Sequence, residues 1–310
     1  MKFGVIIPTK DRREDLFECL MSMRSQSVLP EIVVIVDSSK DNGTEEMIKE
    51  IKHSYPVQLV YIRYKKPPSS TGQRNVGIKY IMDKVDLIHF LDDDVVFVQD
   101  DYFAKINIHF LNDSSIGGGA GQIVQIRHVG YRNKFGVLFR KVFLLTEEGV
   151  GKLKPSGWAS VPSAEFLKEF TYVEVLPGVA VYRSEVFEHF LFDENLTGPG
   201  TREDMDFSYR VSRKYKLFFE PMAKILHKAT PSGRPKNWLE VYAFYYTHNH
   251  FYLFRKLLPQ DLVHIISFIW SDIGSFLGFM ALSFRFRNIL PILGALKAYR
   301  ALLTNGVQRK

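Results

Sequence analysis

The chain has 310 residues, of which 46% are hydrophobic and 24% charged, so it is neither a disordered nor a collagen-like polymer and can bury one large core or two small ones. Its formal net charge of +7 leaves nucleic acid, anionic lipid and phosphate-bearing ligands as candidate partners. The lone cysteine, Cys19, excludes an internal disulfide and no Cys/His tract has zinc-ligand spacing, which fits a reducing compartment.

The opening stretch, MKFGVIIPTKDRRED, has too short an apolar run for a signal peptide, so none is expected. FGVIIP (3–8) reads as a buried strand, and Leu16, Leu20 and Met23 mark one face of a helix over 14–23. EIVVIVD (31–37) predicts a second strand, TEEMIKEIK (44–52) a helix opened by Thr44, and VQLVYIRY (57–64) a third strand. GQRNVGIKYIMDK (72–84) predicts a helix and LIHFLDD (87–93) a fourth strand. Apolar strands alternating with helices imply an α/β fold with a mostly parallel sheet covered on both faces. Ligands in such sheets bind beyond the carboxyl ends of the strands. Here those ends carry Pro8-Thr9-Lys10-Asp11-Arg12, Asp37-Ser38-Ser39 and Asp92-Asp93-Asp94.

Crowded carboxylates cost free energy unless a cation, a hydrogen bond or water compensates, so Asp92, Asp93 and Asp94 anticipate either a metal or a solvated strand end. Downstream come a glycine cluster (117–126), a loop-rich stretch (149–163), renewed strand and helix character at 173–187, and a glycine-containing loop feeding a helix at 197–215. Glu203, Asp204 and Asp206 fall in that helix's first turn, where the helix dipole alone would favour acidic residues.

The last fifty residues differ in kind. In 262–284, Leu262, Ile265, Ile266, Ile269, Ile273, Phe276, Leu277 and Met280 form one helical stripe, and His264, Ser267, Ser271, Ser275 and Gly278 form the opposite one. The apolar residues offer roughly 4 to 7 kcal/mol on an insertion scale and Asp272 removes about 3, so spanning a bilayer is close to break-even. No acidic residue follows Asp272, whereas Arg285, Arg287, Lys297, Arg300, Arg309 and Lys310 do. The expectation is amphipathic helices lying in a membrane interface, with packing on the catalytic domain or a second subunit as the alternative.

FGVIIPTKDR, VIVDSSKDNGT, TGQRNVGI before LDDDV, and REDMDFSYRV resemble, in order and spacing, the successive motifs of family 2 glycosyltransferases with the GT-A fold, over roughly residues 3 to 256. The resemblance implies a Rossmann-like nucleotide-sugar half (1–100), an acceptor-binding and catalytic half (101–256) and a membrane-associating helical extension (257–310). It further implies inverting transfer from a nucleoside diphosphate sugar, a UDP-sugar first and a GDP- or dTDP-sugar next, with Mg2+ or Mn2+ neutralising the leaving diphosphate.

On that resemblance Asp94 is the direct metal ligand, and Asp92 with Asp93 completes the DXD motif, Asp92 facing the donor's ribose or sugar. Asp37, joined by Pro8 and Thr9, holds the base or ribose, although Asp37-Ser38-Ser39-Lys40 departs from the commoner Asp-Asp-Gly-Ser. Arg74 pairs with Asp37 or the diphosphate, or is simply a helix-face arginine. Asp204 is the candidate base and Glu203 its neighbour on the acceptor. His227 either completes the metal site or is structural. Two residues apart on a helix, His248 and His250 point different ways and make no metal pair. Trp158 lines the acceptor cleft or sits in the core. Without a Gln-x-x-Arg-Trp motif, single-sugar transfer to a lipid-linked or nascent surface glycan at the cytoplasmic membrane face is expected.

Three other readings compete. A sugar-phosphate nucleotidyltransferase needs a glycine-rich loop after the first strand, and PTKDRRED contains no glycine. A non-catalytic sugar-nucleotide or glycan-binding module of the same fold would have no need of Asp204. Nucleic-acid binding is motivated by net charge alone and is not expected.

Overall fold

The computed structural model describes residues 1–125, 134–145, 148–197, 200–230 and 235–305. Arg309 and Lys310, expected in the basic tail, lie outside the described residues.

The first half alternates as the sequence predicts. β1 (Phe3–Thr9), α1 (Arg13–Met23), β2 (Ile32–Asp37), α2 (Gly43–Ile51), β3 (Gln58–Arg63), α3 (Ser70–Ile81) and β4 (Leu87–Phe90) follow in order. β3, β2, β1 and β4 are neighbours in that order and parallel throughout. Element ends shift by up to three residues, and two shifts bear on the site. β4 ends at Phe90, before the carboxylates, and α2 begins at Gly43 with Thr44 buried inside its first turn rather than opening it.

Then come β5 (Val95–Phe97), α4 (Tyr102–Asn112), β6 (Ile116–Gln125) and α5 (Lys134–Val142). Three short strands, β7 (Glu148–Gly149), β8 (Lys152–Leu153) and β9 (Ala159–Pro162), form a separate small sheet in the predicted loop region. β10 (Thr171–Val173) and β11 (Ala180–Arg183) lead through a 3-10 turn, in place of the helix expected near 187, to α6 (Glu203–Ser212) and β12 (Lys216–His227). β11 inserts antiparallel between β4 and β6, and β12 runs parallel to β6, so the nine-stranded sheet is mostly parallel.

Both faces of the sheet are covered, which is why its strands are continuous apolar runs rather than alternating ones. On one face Val5, Ile7, Val33 and Ile35 pack against Leu16 and Leu20 of α1, Met47 of α2 and Phe103 and Ile106 of α4. On the other, Ile6, Val34 and Val36 pack against Ile78 and Ile81 of α3 and Phe207 and Val211 of α6.

Three helices finish the chain: α7 (Trp238–Leu257), α8 (Leu262–Phe286) and α9 (Leu290–Asn305). Ala243 and Tyr246 of α7 pack with Phe276 and Phe279 of α8 and Ala295 and Tyr299 of α9. α8 is turned inside out for a soluble helix: Ser271, Gly274, Ser275 and Ser283 face inward, while Ile266, Ile269 and Ile273 are exposed.

Candidate functional site

The turn between β4 and β5 splits the three aspartates. Asp93 turns under β1, where Thr9 Oγ1 donates to it at 2.8 Å and Arg12 Nη1 at 2.7 Å. Burial pushes its carboxyl up to about 7 despite Arg12. Asp92 and Asp94 turn to the other side, towards His227.

β12 brings His227 there. Its antiparallel pairing with β5 sets His227 opposite Val95, next to Asp94, and the Lys228 amide donates to the Asp94 carbonyl at 3.0 Å. His227 Nε2 lies 3.0 Å from Asp94 Oδ1 and 3.9 Å from Asp92 Oδ2. Asp94 Oδ2 is satisfied by Arg12 Nη2 at 2.8 Å and the Thr230 amide at 3.1 Å. Oδ1 is buried as well, and its only close polar neighbour among the described residues is His227 Nε2. Burial alone would raise the Asp94 carboxyl, yet His227 and Arg12 hold it well below the usual carboxylate range. Burial alone would lower the His227 imidazole, yet Asp94 and Asp92 raise it.

Two carboxylate oxygens and an imidazole nitrogen, all within 4.8 Å of one another, suit one divalent cation. Oxygen-rich sets with one imidazole fit Mn2+ well and Mg2+ acceptably. Asp92 thus stands with Asp94 and His227 as a third group that could hold such an ion.

Arg74 links this cluster to the second acidic pair. It rises from α3 with 2% exposure, its Nη2 3.4 Å from Asp92 Oδ1 and its Nη1 3.5 Å from Glu203 Oε1. Phe192 lies under its guanidinium, 5.2 Å from the ring centre. Asp37 is not its partner. That carboxylate is buried at the end of β2, with Oδ1 taken by the Ser39 amide at 2.7 Å and Oγ at 2.5 Å, and Oδ2 by the Tyr61 hydroxyl at 2.8 Å.

Glu203 and Asp204 begin α6, and Arg202 before them takes a left-handed conformation with φ of 70°. Gly200 also has positive φ, and a Cβ there would come within 2.8 Å of Glu203 Oε1, so glycine lets the loop close over the carboxylate. Asp204 is partly open to the site. Burial around it, with the neighbouring Glu203 charge, pushes its carboxyl up to about 7. Asp206 belongs elsewhere: it is fully buried and paired with Arg210 and Lys256 at 2.7 Å each, the structural reading of a first-turn acid.

These groups share one cavity of about 960 Å³, lined by Pro8, Thr9, Arg74, Asp92, Asp93, Asp94, Glu203, Asp204 and His227, but not by Asp37. Sequence reasoning missed Arg12, Gln73 and the α7 wall. Gln73 donates to the carbonyls of Thr9 and Val36 at 2.9 and 2.7 Å and ties α3 to the strand ends. Trp238, Val241 and Tyr245 line the cavity from α7. The basic run after β1 was the available signal for Arg12, whereas nothing local marks which face of α7 turns inward. Trp158 proves to be core, 3% exposed, with Arg202 stacked 3.8 Å from its ring centre. His250 is buried against the Ser156 carbonyl at 2.8 Å and His248 stacks on Phe244, so the two diverge as expected.

The family described as "Glycosyltransferase like family 2" matches residues 2–232. The chain belongs to that family. A curated relative, the uncharacterized glycosyltransferase YfnE of Bacillus subtilis (strain 168), is 29% identical over 110 residues, 35% of this chain and 27% of that protein. The match thus spans about a quarter of the relative's length.

Among solved structures, the mannosyltransferase PcManGT of Pyrobaculum calidifontis, in complex with GDP-Man and Mn2+, superposes with a TM-score of 0.58 at 16% identity, covering 98% of this chain and 81% of that one. GalNAc-T7 with UDP, GalNAc and Mn2+ gives 0.59 at 16% identity, covering 88% and 54%. S. aureus TarS gives 0.52 at 16% identity, covering 86% and 41%. These likenesses establish the GT-A fold, and the family 2 glycosyltransferase expected from the motifs is borne out as a transferase.

Proposed function

We propose that this family 2 glycosyltransferase moves a single sugar from a nucleoside diphosphate donor to a glycan or lipid-linked acceptor, with inversion and with Mn2+ or Mg2+. The observation that carries the reading is the single cavity flanked by a metal-binding triad, Asp92, Asp94 and His227, and an acidic pair, Glu203 and Asp204, with Arg74 between them. Solved proteins of the same fold hold GDP-Man or UDP beside Mn2+, which supports a UDP- or GDP-sugar ahead of dTDP.

In this reading residues 1–100 bind the nucleotide sugar, with Pro8 and Thr9 at the floor. Asp37, buried outside the cavity, orders the base-side loop through Ser39 and Tyr61 rather than touching the donor itself. A bound cation would be held by Asp94, Asp92 and His227 and would stabilise charge building on the departing diphosphate. Residues 101–256 take the acceptor. Its hydroxyl oxygen bonds to the anomeric carbon while its proton passes to the Asp204 carboxylate, and the electron pair of the breaking carbon–oxygen bond leaves with the diphosphate. A carboxyl near 7 suits that task at neutral pH, because it is ionised often enough to accept the proton yet basic enough to keep it. Glu203, fixed by Arg74 and by the Ser70 hydroxyl at 3.2 Å, orients the acceptor.

Residues 257–310 lie on an anionic membrane at its cytoplasmic face, where a lipid-linked acceptor would be held. Proton NMR of the sugar transferred to water, recorded before mutarotation, tests the stereochemistry: the configuration opposite to the donor's is expected, and retention overturns the mechanism.

A further inference from the structure

The last described helices are not alone in carrying an outward apolar face. In sequence α5 lies between Gln125 at the end of β6 and Val161 in β9, both of which line the cavity. Its Phe143 stacks on Trp270 of α8 with ring centres 4.9 Å apart, and Trp270 Nε1 donates to the Val142 carbonyl at 2.8 Å. Gly274 of α8 leaves room for the Phe143 ring. So anchored, α5 turns Phe135 and Leu138 outward, 78% and 58% exposed.

We propose that α5 and α8 together form one lipid-facing surface that docks on an anionic bilayer and holds the cavity rim against it, a deepening of the membrane reading above on which it rests.

Charge selects the occupant. Residues 134–145 and 262–305 contain one acidic residue, Asp272, and its carboxylate accepts from the Tyr299 hydroxyl of α9 at 2.7 Å. Arg140, Lys141, Arg285, Arg287 and Arg300 border the apolar face with a single sign of charge. An apolar band bordered by these cations, with Asp261 at the N-cap of α8 paired to His264 as its acidic exception, matches acyl chains beneath anionic headgroups. A protein partner of ordinary mixed charge would leave much of that rim unmatched. α8 is long and apolar enough to cross a bilayer; in this proposal it lies in the interface, its Ser271, Ser275 and Phe279 side covered by protein and Ile266, Ile269 and Ile273 exposed.

Sedimentation with phosphatidylcholine vesicles, with and without phosphatidylglycerol, tests this on the full chain carrying Phe135→Ser/Leu138→Ser or Ile266→Ser/Ile269→Ser. The wild type is expected to bind the anionic vesicles about tenfold more tightly than the neutral ones, and each double variant to lose about tenfold or more in partitioning. Mn2+-dependent nucleotide binding, unchanged in both, shows that the variants fold. If only the α8 variant loses binding, the role of α5 is overturned while the membrane reading stands; if the wild type binds neither vesicle, both fall. Concentration-dependent dimers of the wild type that both variants abolish would make the face a protein interface and overturn the proposal.

Discussion

His227 Nε2 stands 3.0 Å from Asp94 Oδ1, with Asp92 Oδ2 3.9 Å from the same nitrogen. Ligand-type atoms about 3 Å apart match neighbouring positions around one octahedral cation. Asp94→Ala is expected to abolish Mn2+ binding, read by the loss of the free-ion electron paramagnetic resonance signal on titration. His227→Ala removes one neutral ligand and should weaken binding by about 10- to 100-fold. Unchanged Mn2+ affinity in Asp94→Ala would refute the ligand set.

The Asp204 carboxyl, raised to about 7 by burial, sets the pH dependence. A base works ionised, so kcat/KM should fall about tenfold per pH unit below 7 and level off above it. The limb belongs to the Glu203–Asp204 pair as a macroscopic titration. Asp204→Asn should reduce kcat by at least about 100-fold with donor affinity kept, and a variant that retains transfer would remove Asp204 from the mechanism. The same raised acid also bears on stability. Its folded value exceeds the ordinary carboxyl value of 3.8, so its contribution is fully present below about pH 4 and is lost as pH rises through 7.

Arg74 lowers the Asp204 carboxyl against the effect of burial. Arg74→Met should therefore move the limb of the pH–rate profile upward, with kcat at pH 7 falling more than kcat at pH 9. An equal loss at both pH values would reduce Arg74 to a purely structural part.

Gly77 lets α3 approach β1: a Cβ there would fall 2.6 Å from Ile6 Cγ2, and Ile6 is fully buried. Gly77→Ala gains about 1 kcal/mol of helix propensity but overpacks the core by about 1 to 3 kcal/mol. The expected net effect is a lower denaturation midpoint together with reduced kcat, because Gln73 and Arg74 ride on the displaced helix. A higher midpoint with full activity would contradict this close packing.

The alternating half was legible because strands buried on both faces and helices buried on one leave distinct periods, as Val33–Val36 and Leu16–Leu20–Met23 do. The acidic clusters were legible because their cost demands compensation. What one chain segment cannot reveal is its partner across the fold. Whether Arg74 would meet Asp37 depended on the angle of α3 over the sheet, and it met Asp92 and Glu203 instead. Trp158 could have faced a sugar or a guanidinium, and Arg202 took its ring. The period of α8 marked two stripes but not which would face inward, since that is decided by Gly274 meeting Phe143, Ser271 meeting the Ser156 carbonyl, and Phe276 and Phe279 packing on α7 and α9. α5 went unread because a nine-residue helix among loops gives too few turns for its period to stand out.

The central claim is a metal-dependent nucleotide site built on Asp94. Titration calorimetry with UDP, GDP and dTDP, each with and without Mn2+, addresses it directly. The account predicts tight binding of one nucleotide that requires Mn2+ and is lost in Asp94→Ala; binding indifferent to both the metal and Asp94, or no binding of any nucleotide, would contradict it.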